Sequence, residues 1–381
     1  MPPHALASLH AQSPRTVAGL MSGTSLDGVD AVIARLDGSG PAMEMEPLGV
    51  VHRAYPQALR DRLLRNSSAA TSSVADLTRL NARLAIAYAD AVDDALADAG
   101  LERDALDLIG SHGQTVHHLP EPEDCAGESV RSTLQIGDPS ALAQHLDTPV
   151  VGNFRVADVA LGGQGAPLAP YFDYVAFTDP NDAQGLLNLG GIANLTLLPA
   201  GAEPEDVRAF DTGPANMVVD ALAERLFDAP YDPNGTHAAA GTPDHSLLAD
   251  LLMDDYFRQP PPKSTGREHF GDAYVDDLLR RARAHDLSPN DIIATATLLT
   301  ASSVYKAYAQ HLRTEQPLDA LIASGGGVHN DTLMRMLADA FAPIPVHTTD
   351  RYGIDPDAKE ALCFAVLAHE TANGVPSSLP S

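Results

Sequence analysis

Three apolar segments, far apart along a 381-residue chain, each run into a glycine-rich turn: residues 16–20 into MSGTSLDGVD (21–30), 185–187 into NLGGIAN (188–194), and 318–323 into SGGGVHN (324–330). A chain built this way must carry strands whose ends present backbone amides, because such turns have little side chain to cover them. Between them lie segments of helical period. Leu77, Leu80, Leu84, Tyr88, Val92 and Leu96 recur at helical spacing and predict one amphipathic helix over 73–99. Further helices are expected at 216–227, 246–253, 289–311, 332–340 and 359–370, with Ser288 or Asn290 near the start of the long one. Strands are expected at 16–20, 29–36, 106–109, 150–151, 186–189 and 318–323, the first two as a hairpin around the Gly/Ser/Thr turn. This alternation specifies α/β layers. No internal sequence repeat is evident; the early and late glycine-rich strand ends are a faint echo of duplication.

The length suggests two domains or one large α/β unit. With 44% hydrophobic and 20% charged residues, a sizeable core forms and global disorder is excluded. No apolar run is long enough for a membrane-spanning helix. The first fourteen residues lack a basic segment followed by an apolar one, so they read as a short frayed extension rather than a signal peptide. The two cysteines, Cys125 and Cys363, make no disulfide framework and no four-thiolate zinc site, and a cytoplasmic location is expected. A formal charge of −27 repels polyanions, which argues against nucleic-acid partners. Only three lysines (Lys263, Lys306, Lys359) stand against the many aspartates. That skew reads either as an ordinary soluble surface or as adaptation to a salt-rich cytosol, where self-repulsion is screened. The PPP at 260–262 marks a surface turn.

The turn at 21–30 offers hydroxyls and amides from Ser22, Thr24 and Ser25, glycines at Gly23 and Gly28, and carboxylates at Asp27 and Asp30. Amide-lined turns bind phosphate, and a nearby carboxylate holds hydrated Mg²⁺; an ordinary hairpin turn is the competing reading. The Walker pattern is absent. Gly190 and Gly191 at a strand-to-strand turn suit phosphate again, and the 324–330 turn meets a helix N-terminus with its free N–H groups. Together the three turns point to a nucleotide held from several sides. FDTGPAN (210–216) places Asp211 at an expected strand end, as a general base or a ligand of hydrated Mg²⁺, or else as a cap of the helix beginning near Asn216. SHGQT (111–115), LQIGD (134–138) and FRVADVALGGQGAP (154–167) collect amides, hydroxyls and carboxylates that suit a polyhydroxylated ligand such as a sugar. His112, His117 and His118 lack the spacing of a metal site and read as solvated or hydrogen-bonded imidazoles. Glu360 at a helix start complements the dipole or serves the chemistry.

Eight stretches in order, GLMSGTSLDGVD (19–30), GSHGQTVHH (110–118), LQIGDPSALA (134–143), ALGGQGAPLAP (160–170), LNLGGIANLTLL (187–198), FDTGPANMVVDA (210–221), PKSTGREHF (262–270) and ASGGGVHN (323–330), resemble the anhydro-N-acetylmuramic acid kinases over nearly the whole chain. The resemblance implies the two-domain actin-like ATPase fold of the hexokinase and actin superfamily, with the active site in a cleft between domains. The expected halves are 15–140 completed by 350–381, and 141–349. It implies an enzyme of cell-wall (peptidoglycan) recycling that opens 1,6-anhydro-N-acetylmuramic acid with water and phosphorylates O6 from ATP with Mg²⁺. The product is N-acetylmuramic acid 6-phosphate. O6 is tied to C1 in that substrate, so a carboxylate must activate water toward C1 while O6 attacks the γ-phosphate. The match places that base on Asp211, with Glu360 as a second catalytic carboxylate. It places ATP on Gly23, Thr24, Ser25, Leu26, Asp27, Gly28, Val29 and Asp30, on Gly190 and Gly191, and on Gly325, Gly326, Gly327 and Asn330. Asp27 is the expected contact to the Mg²⁺ water shell. His112, Gln114, Thr115, Arg155 and Asp158 are the expected sugar contacts. The expected partners are the anhydrosugar and ATP, with neither nucleic acid nor membrane, in a possible homodimer. Only Arg155 remains of a more basic family stretch before Asp158, which bears on recognition of the lactyl carboxylate. The alternatives are a kinase of a simpler anhydrosugar such as levoglucosan, and a non-catalytic nucleotide-gated sugar sensor.

Overall fold

The computed structural model describes Leu9 and residues 12–23, 25–313 and 317–379. Thr24 and, of the expected frayed extension, residues 1–8, 10 and 11 lie outside the described residues. The chain divides into two units, Met1–Ala176 with Ala358–Ser381, and Phe177–Asp357.

The first unit holds a sheet of order β3-β2-β1-β4-β5, with β6 pairing β4. Its strands are β1 (Arg15–Ser22), β2 (Gly28–Asp37), β3 (Glu44–Ala54), β4 (Leu108–Cys125), β5 (Glu128–Ile136) and β6 (Val150–Gly152). β1 and β2 form the expected antiparallel hairpin, and β1 pairs parallel with β4. The helices are α1 (Gln57–Asn66), α2 (Val74–Asp98), α3 (Pro139–Leu146), α4 (Phe154–Ala160) and α5 (Ala169–Phe177). Ser73 caps α2 by accepting from the Asp76 amide at 3.1 Å, and the stripe Leu80, Leu84, Tyr88, Val92 and Leu96 is buried. The unit boundary falls at 176 rather than 140, because β6 joins the first sheet in parallel register with β4. The return falls at 358 rather than 350.

Of the elements that depart from expectation, two do so for plain physical reasons. β3 is an edge strand, half exposed and interrupted by Pro47 at a register shift opposite Ala34, so it shows no apolar alternation. The strand expected at 106–109 continues as β4 through GSHGQT, so 110–115 is strand and not a loop after it. Its glycines and polar side chains hide the pattern.

The second unit repeats the arrangement with β7 (Gln184–Leu189), β8 (Ile192–Leu198), β9 (Arg208–Pro214), β10 (Ala320–Ser324) and β11 (Val346–Thr348), in the order β11-β10-β7-β8-β9. β7, β8 and β9 are successively antiparallel, and β7, β10 and β11 are parallel. Strand for strand this is the β1-β2-β3 and β1-β4-β6 pattern of the first unit. The duplication invisible in the residues is thus present in the backbone topology, which is the duplicated α/β arrangement of the actin-like ATPase fold. The helices are α6 (Asn216–Phe227), α7 (Thr236–Ala240), α8 (His245–Leu251), α9 (Arg267–Phe270), α10 (Asp272–Ala284), α11 (Pro289–His311) and α12 (Asp331–Phe341). Ser288 and Asp291 cap α11 reciprocally.

The closing helix α13 (Lys359–Asn373) packs on the first sheet. Gly19 and Gly110 are neighbours in the β1–β4 register, and a Cβ on either would come within 1.9 Å of Ala361 O or Phe364 O. These two glycines let the helix backbone lie directly on the sheet. Beneath its first turn, Lys359 and Asp173 of α5 form a buried ion pair at 2.6 Å.

Candidate active site

In the first unit the β1–β2 turn is held from behind. Ser22 Oγ donates to Gln114 Oε1 at 2.5 Å and lies 2.8 Å from Tyr55 Oη. Gln114 Nε2 donates to Gly23 O at 3.0 Å. Gln114 is fully buried, so both ends of its amide serve the turn. Burial pushes the Tyr55 phenol up to about 12. Leu26 takes a left-handed φ of 55° with its side chain in the core, and Val29 is buried beside it. A Cβ on Gly28 would meet Arg53 O at 2.5 Å, so this glycine is required by the β2–β3 pairing; Gly23 borders open space. Ser25 Oγ donates to the exposed Asp27 at 2.5 Å, and Asp30 pairs with His52 at 2.7 Å.

A second cluster of this unit gathers four of the five expected sugar contacts. His112 Nε2 accepts from Arg155 Nε at 2.8 Å, Arg155 Nη1 donates to Gly165 O at 2.7 Å, and Gly165 N donates to Asp158 Oδ2 at 2.8 Å. The GGQG loop is therefore wrapped on Asp158 and Arg155. Burial, then the Arg155 charge, pushes the His112 imidazole down to about 3, so it stays neutral with its proton on Nδ1. The ring lies 4.8 Å from Phe364 of α13. Burial also lowers Arg155, opposed chiefly by the Glu360 charge and more weakly by Asp158. Glu360 itself is exposed in the first turn of α13. Thr115 Oγ1 accepts from Gln135 Nε2 at 3.1 Å, and the same amide reaches Thr133 Oγ1 at 2.8 Å, which also lies 3.0 Å from His118 Nδ1. Gln135 belongs to the LQIGD stretch read as suited to a sugar, whereas Thr133 and His118 were not expected at a site. The available signal was the two-residue spacing of Thr133 and Gln135, which puts both on one face of β5.

In the second unit three motifs converge. Asn188 and Ser324 are register partners at the ends of the parallel strands β7 and β10. The Gly190-Gly191 turn accepts the amides of Asn216 and Ala215 at the start of α6, each at 3.0 Å. Asn216 Nδ2 donates to Leu189 O at 3.0 Å. Gly325 has a φ of 80°, and a Cβ there would meet Asn188 Oδ1 at 2.6 Å; one on Gly327 would meet Leu189 Cβ at 2.6 Å. Gly326 is open, with Asn216 Nδ2 at 3.8 Å. Asn330 is buried and caps α12 by accepting from the Leu333 amide at 2.9 Å.

Asp211 lies within β9 rather than at a strand end, beside a bulge at Ala193/Asn194. It does not cap α6, whose N-cap is Ala215. Its Oδ2 accepts from the Thr265 amide at 2.9 Å, and its backbone is tied to Lys263 O and Tyr256 Oη. Burial, reinforced by Glu268, pushes the carboxyl up to about 6 against the Thr265 hydrogen bond and the Lys263 charge. Lys263 Nζ stacks 4.4 Å over the Tyr256 ring. The 263–268 segment that surrounds Asp211 belongs to the PKSTGREHF block. Among the described residues no group of three or more His, Cys, Asp or Glu could hold a metal ion, and no helix is long and apolar enough to cross a membrane.

A duplicated actin-like topology, glycine-rich turns gathered at parallel strand ends, and a carboxylate poised near neutrality define a phosphotransferase of the actin-like ATPase class. A model of the family described as anhydro-N-acetylmuramic acid kinase matches residues 15–381, and the chain belongs to that family. It is 68% identical over 377 residues to the anhydro-N-acetylmuramic acid kinase of Salinibacter ruber, covering 99% of this chain and 95% of that one. It is 41% identical to the enzyme of the same name from Caldanaerobacter subterraneus, covering 98% and 95%. Among solved structures it is similar to component A of (R)-2-hydroxyglutaryl-CoA dehydratase from Acidaminococcus fermentans. That match has 11% identity and a TM-score of 0.47, covering 94% of this chain and 99% of that one.

Proposed function

We propose that this chain opens 1,6-anhydro-N-acetylmuramic acid with water and transfers the γ-phosphoryl of ATP to the freed O6, in the cytoplasm, as a step of peptidoglycan recycling. The observation that carries the residue roles is the Asp211 carboxyl, raised to about 6 on the unit that carries two of the three glycine-rich turns. A base with that pKa is ionised at neutral pH yet accepts a proton readily. Asp211 takes the proton of the attacking water, and the Thr265 amide fixes the carboxylate while leaving Oδ1 for the water. As the C1–O6 bond breaks, O6 gains the charge with which it attacks the phosphorus. Glu360 lies in the field of Arg155 on the sugar-binding unit and acts as the second carboxylate.

The turns at Gly190, Gly191 and 325–327 hold phosphate oxygens on their amides, while Gln114 and Ser22 keep the 23–30 turn in shape for the same purpose. Asp27, exposed and with no cage of further carboxylates among the described residues, suits a Mg²⁺ that arrives on the nucleotide with most of its water shell. Bound there, Mg²⁺ would neutralise phosphate charge. Arg155, Asp158, Thr115 and Gln135 form the sugar site, with His112 bonded to Arg155 in the same cluster. The test is incubation with ATP, Mg²⁺ and either anhydro-N-acetylmuramic acid or levoglucosan, read by mass spectrometry. A product heavier by one phosphoryl and one water, formed faster from the muramic sugar, is expected. Preference for levoglucosan would overturn the substrate, and ATP binding without product would overturn the activity.

A further inference from the structure

His112 sits in the cluster read as the sugar site, yet its geometry is not that of a ligand contact. The residue is 4% exposed, its ring is packed against Phe364, and its Nε2 is used by Arg155. We infer that His112 is a positioning residue: a permanent hydrogen-bond acceptor that fixes the Arg155 guanidinium against the GGQG loop.

Three observations carry this. Arg155 Nε, the donor that sets the rotation of the guanidinium plane, is the atom bound to His112. With Nε on His112 and one Nη1 N–H on Gly165 O, the plane is held at two points. The strongest charge attracting Arg155 is Glu360, on the helix whose Phe364 packs against the His112 ring. Imidazole suits the task because burial beside a cation keeps it neutral, and a neutral ring protonated on Nδ1 offers a lone pair at Nε2. A protonated imidazolium or an apolar side chain there would leave Arg155 Nε without an acceptor.

The inference rests on the sugar-kinase reading, and its test separates the two. Steady-state kinetics on the full chain would compare wild type with His112→Phe, His112→Gln, His112→Asn, Arg155→Lys and the double variant His112→Phe/Arg155→Lys. Phenylalanine keeps the ring against Phe364 and removes the acceptor. Glutamine puts an amide oxygen near the Nε2 position; asparagine puts it near Nδ1, out of reach of Arg155. Losing a hydrogen bond to a charged partner predicts a fall of about 10–100-fold in kcat/KM for the anhydrosugar in the Phe and Asn variants. Glutamine should recover to within about 5-fold of wild type, and KM for ATP should move by less than about 2-fold throughout. The double variant should be no worse than the poorer single one within about 3-fold, because both remove one interaction. Multiplying effects in the double variant, or equal loss in Gln and Asn, would overturn the inference. If the Phe variant does not fold, the Gln against Asn comparison still decides. Absence of sugar turnover in wild type would instead sink the sugar-kinase reading.

Discussion

Replacing Asp211 by asparagine should make the second unit more stable while removing turnover. The carboxyl is raised from 3.8 to about 6 by burial, so the folded protein binds its proton more tightly than the unfolded chain does. Between those two values stability therefore falls as pH rises, and above about 6 the whole cost of burying the charge is present. About two pKa units correspond to an upper bound of about 3 kcal/mol. That net shift already contains the opposing attraction of Lys263, and asparagine keeps an oxygen for the Thr265 amide, so the gain is at most about 3 kcal/mol. Denaturant unfolding of both proteins at about pH 8 and about pH 4 reads the difference: a gain at the higher pH that vanishes at the lower. With Asp211 as the proposed base, wild-type kcat/KM should fall tenfold per pH unit below about 6, with loss of about 10²–10⁴ in the asparagine variant at neutral pH. An asparagine variant less stable at pH 8, or a wild-type rate with no inflection near 6, would refute the argument that Asp211 is a strained base.

Further outcomes follow from the packing and the charge. Gly19→Ala or Gly110→Ala drives a Cβ into the α13 backbone and should cost about 3 kcal/mol or more, seen as a lower thermal midpoint. Lys359→Met leaves Asp173 buried without its cation and should cost about 3–5 kcal/mol, whereas Lys359→Met with Asp173→Leu should recover most of it. Gln114→Ala frees the 22–23 turn and should raise KM for ATP by about 10-fold with a smaller change for the sugar, measured by initial rates. With a formal charge of −27, the thermal midpoint should rise between about 0.1 M and about 3 M KCl; an unchanged midpoint would leave the acidic surface an ordinary one.

Local rules carried much of this protein. Strong periodicity and a capping serine placed α2 and α11 to within a residue, because both signals act over one or two turns. The glycine-rich turns announced strand ends, since only short, flexible residues tolerate them. Eight motifs in order sufficed for the family. What failed lay where side chains do not report pairing: β3, polar and half exposed at a sheet edge, and the continuation of β4 through GSHGQT. The β1–β4 register that brings Gly19 beside Gly110, and so admits α13, is a property of two distant segments.

The site divides the same way. Residue types and order alone singled out Asp211, His112, Gln114 and Arg155 as candidates. Only the tertiary structure decided how. It turned Gln114 inward to hold a turn, set His112 on Arg155 instead of in the open, and brought Thr133 and Gln135 to Thr115. It also lifted the Asp211 carboxyl by surrounding it with the 263–268 segment, more than fifty residues away in sequence. Burial and the partner of a polar group are sums over neighbours from the whole chain, and no local stretch of residues contains that sum.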